Sequence, residues 1–162
     1  MKTTNAILTF CMVCLILGCM GVESRTSYNV QTDFSALKSY AWMPGLKEQF
    51  TNPMYADFYK EAMDTQLAAK GLKSVEDSPD FIIRTYPTKD HKESYKTFSS
   101  GTIDFHEGMI HMEFVDAKSG DLIWEGAAQA YLSEESKPDE VKKDVYEIVA
   151  DLLKDYPPKV KR

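Results

Sequence analysis

The chain has 162 residues, 19 Lys and Arg against 25 Asp and Glu for a formal charge of −6, 43% hydrophobic residues and 12% aromatic ones. That composition excludes intrinsic disorder and collagen-like repeats. No stretch supplies the basic stripe of a nucleic-acid binder, so nucleic acid is excluded as a partner.

The first element reads as an export leader over residues 1–18. Lys2 is a positive start, and Ala6 to Leu17 is an apolar run of twelve residues. A bilayer-spanning helix takes about 17–25 such residues, so the run fits a secretory core and not a transmembrane span. Leu15-Ile16-Leu17-Gly18-Cys19 follows where a small-x-small cleavage site would stand. It resembles the lipobox of bacterial lipoproteins: Gly18 is small enough for a peptidase site, and Cys19 supplies the thiol that takes a diacylglycerol. All three cysteines (Cys11, Cys14, Cys19) lie by or before this point. The mature domain therefore has no thiol for a disulfide, a zinc site or a nucleophile. One acyl chain anchors only marginally, whereas two or three, such as diacylglycerol plus palmitate, hold a protein on the bilayer. Met20 in place of Asp favours the outer membrane, by resemblance to sorting in enteric bacteria.

Removing the leader leaves 144 residues and a charge of −7, because Lys2 is the one charge lost. This is a common single-domain size, and such a chain buries roughly two-thirds of its unfolded surface. One apolar core without a metal staple is expected. Residues 19–27 are predicted to be the lipidated cysteine and a tether, 28–158 one globular domain, and 159–162 a basic tail.

Within the domain, Tyr28–Thr32 is predicted as an edge strand and Ser39–Met43 as a short strand ended by Pro44-Gly45. Asn52-Pro53 opens a helix, with Tyr55, Tyr59, Met63 and Leu67 on one stripe and Gly71 as its left-handed stop. Phe81–Tyr86 reads as a strand ended by Pro87, and Thr88–Lys96 as a charged loop. Phe98–Phe105 and Met109–Val115 flank Glu107-Gly108, which predicts a hairpin turn there. Leu122, Trp124, Gly126, Ala128 and Ala130 alternate along a further strand, on a face that loses bulk after Trp124 and so invites a closely packed helix. Pro138 opens that helix, Val141, Val145, Ile148 and Leu152 give its apolar stripe, and Tyr156-Pro157-Pro158 stops it. The order predicts an α+β two-layer sandwich: a largely antiparallel sheet of four to five strands with two helices on one face.

Several blocks carry a family resemblance. They are Tyr28-Asn29-Val30 with Asp33-Phe34, Leu37 to Trp42, Leu67 to Leu72, Pro79-Asp80-Phe81, Glu107-Gly108 through Phe114 to Lys118, Leu122 to Gly126, and Tyr156-Pro157-Pro158. In order and spacing they resemble the DUF4136 family of bacterial lipoproteins over about residues 28–158. The resemblance implies an envelope lipoprotein with an α+β fold and a function unknown, and supplies no catalytic residues.

The chemistry-bearing side chains point the same way. His106 and His111 lie five apart with Glu107 and Glu113 nearby, and His91 is separate. Zinc needs three or four converging ligands, so solvated histidines and no metal are expected. Asp64, Asp80, Asp104, Glu113, Asp116 and Asp121 are not confined to a common cleft, and Ser35, Ser99, Ser100 and Ser133 lie in no Gly-x-Ser-x-Gly elbow. No enzyme and no cofactor are expected. Trp124 is predicted to be core. Trp42, Tyr86 and Tyr95 are the candidate contacts for a ligand or partner, among tyrosines (with Tyr28, Tyr55 and Tyr131) that suit either an interface or a core rim. The reading that follows is a lipid-anchored, non-catalytic envelope protein on the periplasmic face of the outer membrane, meeting an envelope protein partner. The alternative is a periplasmic module for a small molecule or glycan, with a pocket between the sheet and Trp42 or residues 87–97.

Overall fold

The computed structural model describes residues 23–50, 52–96, 102–133 and 136–159. The lipobox, Gly18 and Cys19 lie outside the described residues, as do the side chains of 23, 87–96, 102–109 and 130–133.

Six strands and three helices follow in the order β1 (Glu23–Tyr28), β2 (Ser39–Trp42), α1 (Leu46–Gln49), α2 (Pro53–Ala69), β3 (Lys73–Ser74), β4 (Phe81–Lys96), β5 (Thr102–Asp116), β6 (Leu122–Ser133) and α3 (Pro138–Leu152). They form one α+β sheet ordered β1-β6-β5-β4-β2-β3. The sheet has six strands where four to five were expected, and it is mixed. β2 runs parallel to β3 and β4, while the β1–β6, β5–β6 and β4–β5 pairs are antiparallel. The cause is the helix-bearing connection. α2 lies between β2 and β4 and carries the chain back before the next strand, which is what a parallel pair requires.

Each helix boundary has a local cause. The Asn52 side chain accepts the Met54 N–H at 3.0 Å ahead of Pro53, and α2 closes as a Schellman motif. Leu72 N–H reaches Leu67 O at 3.0 Å, Gly71 N–H reaches Ala68 O at 2.9 Å, and Gly71 has φ +85°. In α3 the Glu140 carboxylate reaches back to the Lys137 N–H at 3.2 Å.

Tyr59, Met63 and Leu67 of α2 and Val141, Val145, Ile148 and Leu152 of α3 are all buried against one sheet face. That face presents Tyr40, Phe81, Ile83, Met112, Phe114, Trp124 and Ala128. Phe114 is the hub, with ring centroids 4.9 Å from Phe81, 4.7 Å from Trp124 and 5.2 Å from Tyr156. The expected amphipathic helices, and Trp124 as a core residue, are thus present. Across the two helices, Lys142 Nζ meets Glu61 Oε2 at 2.8 Å. This bond holds the Glu61 carboxyl below and the Lys142 ammonium above their ordinary values.

Four local expectations are corrected. Residues 23–27, expected as tether, are strand. Asn29 to Thr32, expected as strand, instead form a turn in which the Asn29 side chain accepts the Gln31 N–H at 2.9 Å and Asn29 O accepts the Thr32 N–H at 3.1 Å. Pro87 does not end β4, and Thr88–Lys96 are not a loop: the ladder with β5 runs on to Lys96 opposite Thr102. β2 covers β4 only at Phe81–Ile83, so the rest of β4 is a sheet edge, where proline and charge are tolerated and discourage unwanted pairing. Glu107-Gly108 is not a turn either; β5 passes straight through it. Gly108 instead stands opposite a register shift in β4 between Thr88 and His91, a usual place for glycine inside a strand.

Candidate functional site

The sheet face under the helices and the face away from them carry different chemistry. On the helix side, β2 places Tyr40 and Trp42 two residues apart, so both point toward α2. Asp64 of α2 receives them together: Tyr40 Oη donates at 2.7 Å and Trp42 Nε1 at 2.9 Å to the same carboxylate oxygen, and Lys60 Nζ donates to the other. Lys60 Nζ also lies 5.6 Å from the centroid of the Trp42 ring, and Tyr59 packs edge-on at 5.9 Å. Tyr40 is buried, and that desolvation, reinforced by the bond to Asp64, pushes its phenol well above the ordinary value.

Trp42, Met43, Pro44, Gly45, Leu46 and Ala56 then enclose a groove of about 300 Å³, with Lys47, Glu48, Asp57 and Lys60 on its lining. Gly45 makes the bend into α1 with φ +86°, a backbone region that favours glycine. Lys47 Nζ meets Asp57 Oδ1 at 2.7 Å, with both side chains more than half exposed. Because the Trp42 N–H is already given to Asp64, the indole offers the groove an apolar surface and no donor. The groove combines apolar contact with an ion pair. A pocket at Trp42 is the alternative the sequence offers, but its α1 wall is not legible there, because Leu46–Gln49 is too short to show a helical period, although Pro44-Gly45 marks the bend.

Tyr86 stands on the other face of the sheet. Thr85, its neighbour in β4, is buried and shares a hydrogen bond of 3.3 Å with the Tyr59 hydroxyl under α2. Tyr86 therefore turns away from the helices and is 38% exposed. Its ring lies 6.3 Å from that of His111 at an interplanar angle of 27°, and His111 Nε2 is 3.5 Å from Glu125 Oε2. Trp42 and Tyr86 are thus not brought together. Tyr95 pairs with Ile103 far along the β4–β5 ladder, and its side chain lies outside the described residues. The described lining of the groove comes from the β2–α1 segment and α2.

His106 and His111 share the unbroken β5, so no turn brings them together, and His106 and His91 have side chains outside the described residues. Among the described residues no group of three or more His, Cys, Asp or Glu is placed to hold a metal ion. Two of the other singled-out carboxylates, Asp80 and Asp116, act as local fasteners. Asp80 Oδ2 accepts the Lys38 N–H at 2.8 Å, the Ser39 N–H at 2.9 Å and the Ser39 hydroxyl at 2.9 Å, which pins β2 to the start of β4. Those bonds, led by the Lys38 N–H, hold its carboxyl below the usual range. Asp116 Oδ1 accepts the N–H groups of Ser119 and Lys118 at 2.8 and 2.9 Å in the β5–β6 turn, and is lowered for the same reason.

The sequence model of DUF4136, a domain of unknown function, matches residues 24–158, and the chain belongs to that family. No curated protein sequence matches it. Solved structures share the fold at low identity. A PDZ domain protein from Parabacteroides distasonis superposes with a TM-score of 0.60 at 18% identity over 85% of this chain, which spans only 36% of that protein. The PelC dodecamer from Paraburkholderia phytofirmans gives 0.54 at 12% identity, covering 82% of this chain and 95% of that one. A minor lipoprotein from Acinetobacter baumannii gives 0.51 at 12% identity, covering 74% and 91%.

Proposed function

We propose that this DUF4136 chain is a lipid-anchored cell-envelope protein on the periplasmic face of the outer membrane, working through contact with another envelope protein and not through catalysis. The observation that carries the reading is the position of Cys19, the end of a Leu-Ile-Leu-Gly-Cys run that resembles a lipobox, four residues ahead of the edge strand of an α+β sandwich. No described helix is long and apolar enough to cross a membrane, and acyl chains on Cys19 hold the domain at a bilayer without one. The fold is one shared with a minor lipoprotein and with PelC, which assembles as a dodecamer, so a second copy of the chain is the first partner to test.

Cys19→Ala tests the anchor: the variant is expected to leave the membrane fraction as soluble protein or to remain as uncleaved precursor. Crosslinking on intact cells tests the contact. A discrete crosslinked species is expected, and monomer alone across crosslinkers of different length would contradict an interaction role.

The groove at Trp42 favours a second reading, a small-molecule or glycan module. Its volume of about 300 Å³ is at the lower end for ligand pockets. Titration of envelope glycans against tryptophan fluorescence separates the two readings, because a Trp42→Phe variant must lose any genuine response.

A further inference from the structure

The anchor and the longest part of the sheet leave the domain at the same end. β1 is antiparallel to β6, with Glu23 opposite Gln129 and Tyr28 opposite Trp124. Gln129 pairs with Met109, and Met109 with Thr88, so one row crosses four strands at the level of Glu23. Glu23, the first residue of β1, stands at the end toward which β6 advances to Ser133, β4 advances to Lys96 and β5 recedes to Thr102. The Asp116–Asp121 turn between β5 and β6 lies at the opposite end, beyond Tyr28.

Lengths decide what this does. Cys19 to Glu23 is four residue steps, a reach of at most about 14 Å. From Met109 to Thr102, β5 continues for seven residues past that row, about 23 Å. The ribbon is therefore longer than the tether. Where the tether runs on in the direction of β1, acyl chains on Cys19 bring the ribbon, and not the Asp116–Asp121 turn, against the headgroups.

Resting on the lipid-anchored reading, we propose that the β4–β5 ribbon (residues 88–96 and 102–109) docks on the phospholipid surface that holds Cys19, with the Asp116–Asp121 turn as the membrane-distal end.

The mature chain carries no cysteine after Cys19, so single reporters are simple to place. The lipidated protein, with a fluorophore at Thr88→Cys or Ser94→Cys on the ribbon or at Ser119→Cys on the distal turn, is reconstituted into phosphatidylethanolamine–phosphatidylglycerol vesicles containing nitroxide-headgroup lipid. Quenching at both ribbon positions is expected to be several-fold stronger than at position 119. Equal quenching at all three, or stronger quenching at 119, overturns the docking. So does a ribbon label shielded from soluble iodide in detergent micelles yet unquenched in the vesicles, which would assign the ribbon to a second copy. Intact mass of each sample separates the two levels. With diacylglycerol on Cys19, a failed quenching pattern refutes the docking alone; without it, the anchored reading fails and the docking with it.

Discussion

Gly126 lies directly beneath Leu152: a Cβ built on it would sit 2.9 Å from Leu152 Cδ1 and 2.6 Å from the Trp124 ring. The glycine is what lets the end of α3 close onto β6. Two effects compete in Gly126→Ala. Reduced backbone freedom favours alanine by about 0.5–1 kcal/mol, while overpacking a filled core costs about 1–3 kcal/mol. The second is larger, so Gly126→Ala should unfold at lower urea with an unchanged slope, and Gly126→Val at lower urea still.

Phe114→Ala removes the ring that Phe81, Trp124 and Tyr156 all meet. A loss of about 3–5 kcal/mol is expected for such a cavity. Tyr86→Ala, on the exposed face, should change stability by less than about 1 kcal/mol. Urea melts followed by tryptophan fluorescence compare the two, and equal losses would mean that the core is misplaced.

Acid stability should depend on Asp80. Its carboxyl is held below the ordinary value by the Lys38 and Ser39 donors, so its contribution is present above the unfolded-chain value of about 4. That contribution is lost as the pH falls through the lower folded value. Asp80→Asn should be less stable than the parent at neutral pH, and the gap should shrink as both are acidified. A gap constant with pH would contradict this.

Alkaline titration reads the core from the other side. Burial raises the phenols of Tyr40, Tyr59 and Tyr156 above their ordinary value, with the Asp64 bond adding to Tyr40. A raised folded value gives stability that is complete below the unfolded value of about 10 and lost as the pH climbs above it. Phenolate absorbance should therefore show at least these three tyrosines ionising together with loss of near-ultraviolet circular dichroism. Ionisation of all nine tyrosines before unfolding would refute their burial.

Much of this fold is legible in the sequence where periodicity runs long. The Tyr59–Met63–Leu67 and Val141–Val145–Ile148–Leu152 stripes, the Asn52-Pro53 and Gly71 boundaries, and the shrinking face after Trp124 all correspond to buried helix faces, caps and a close approach. β4 is not legible beyond Tyr86, because Lys89, Asp90, Lys92, Glu93 and Lys96 have the composition of a loop. An edge strand held by a long partner needs no apolar alternation of its own, so local pattern cannot distinguish the two. Gly108 misleads for a related reason, since glycine opposite a bulge and glycine in a turn look alike. Of the site, Trp42 is singled out by its residue type, whereas the groove beside it depends on a one-turn helix and on Asp64 collecting three donors across 24 residues.

The most direct measurement is the mass of the amino-terminal peptide from protein extracted from its native membranes. A chain that begins at Cys19 and carries diacylglycerol, with or without a further acyl group, is the predicted result. A chain beginning at another residue, or one with Cys19 as a free thiol, would contradict the anchor on which the placement rests.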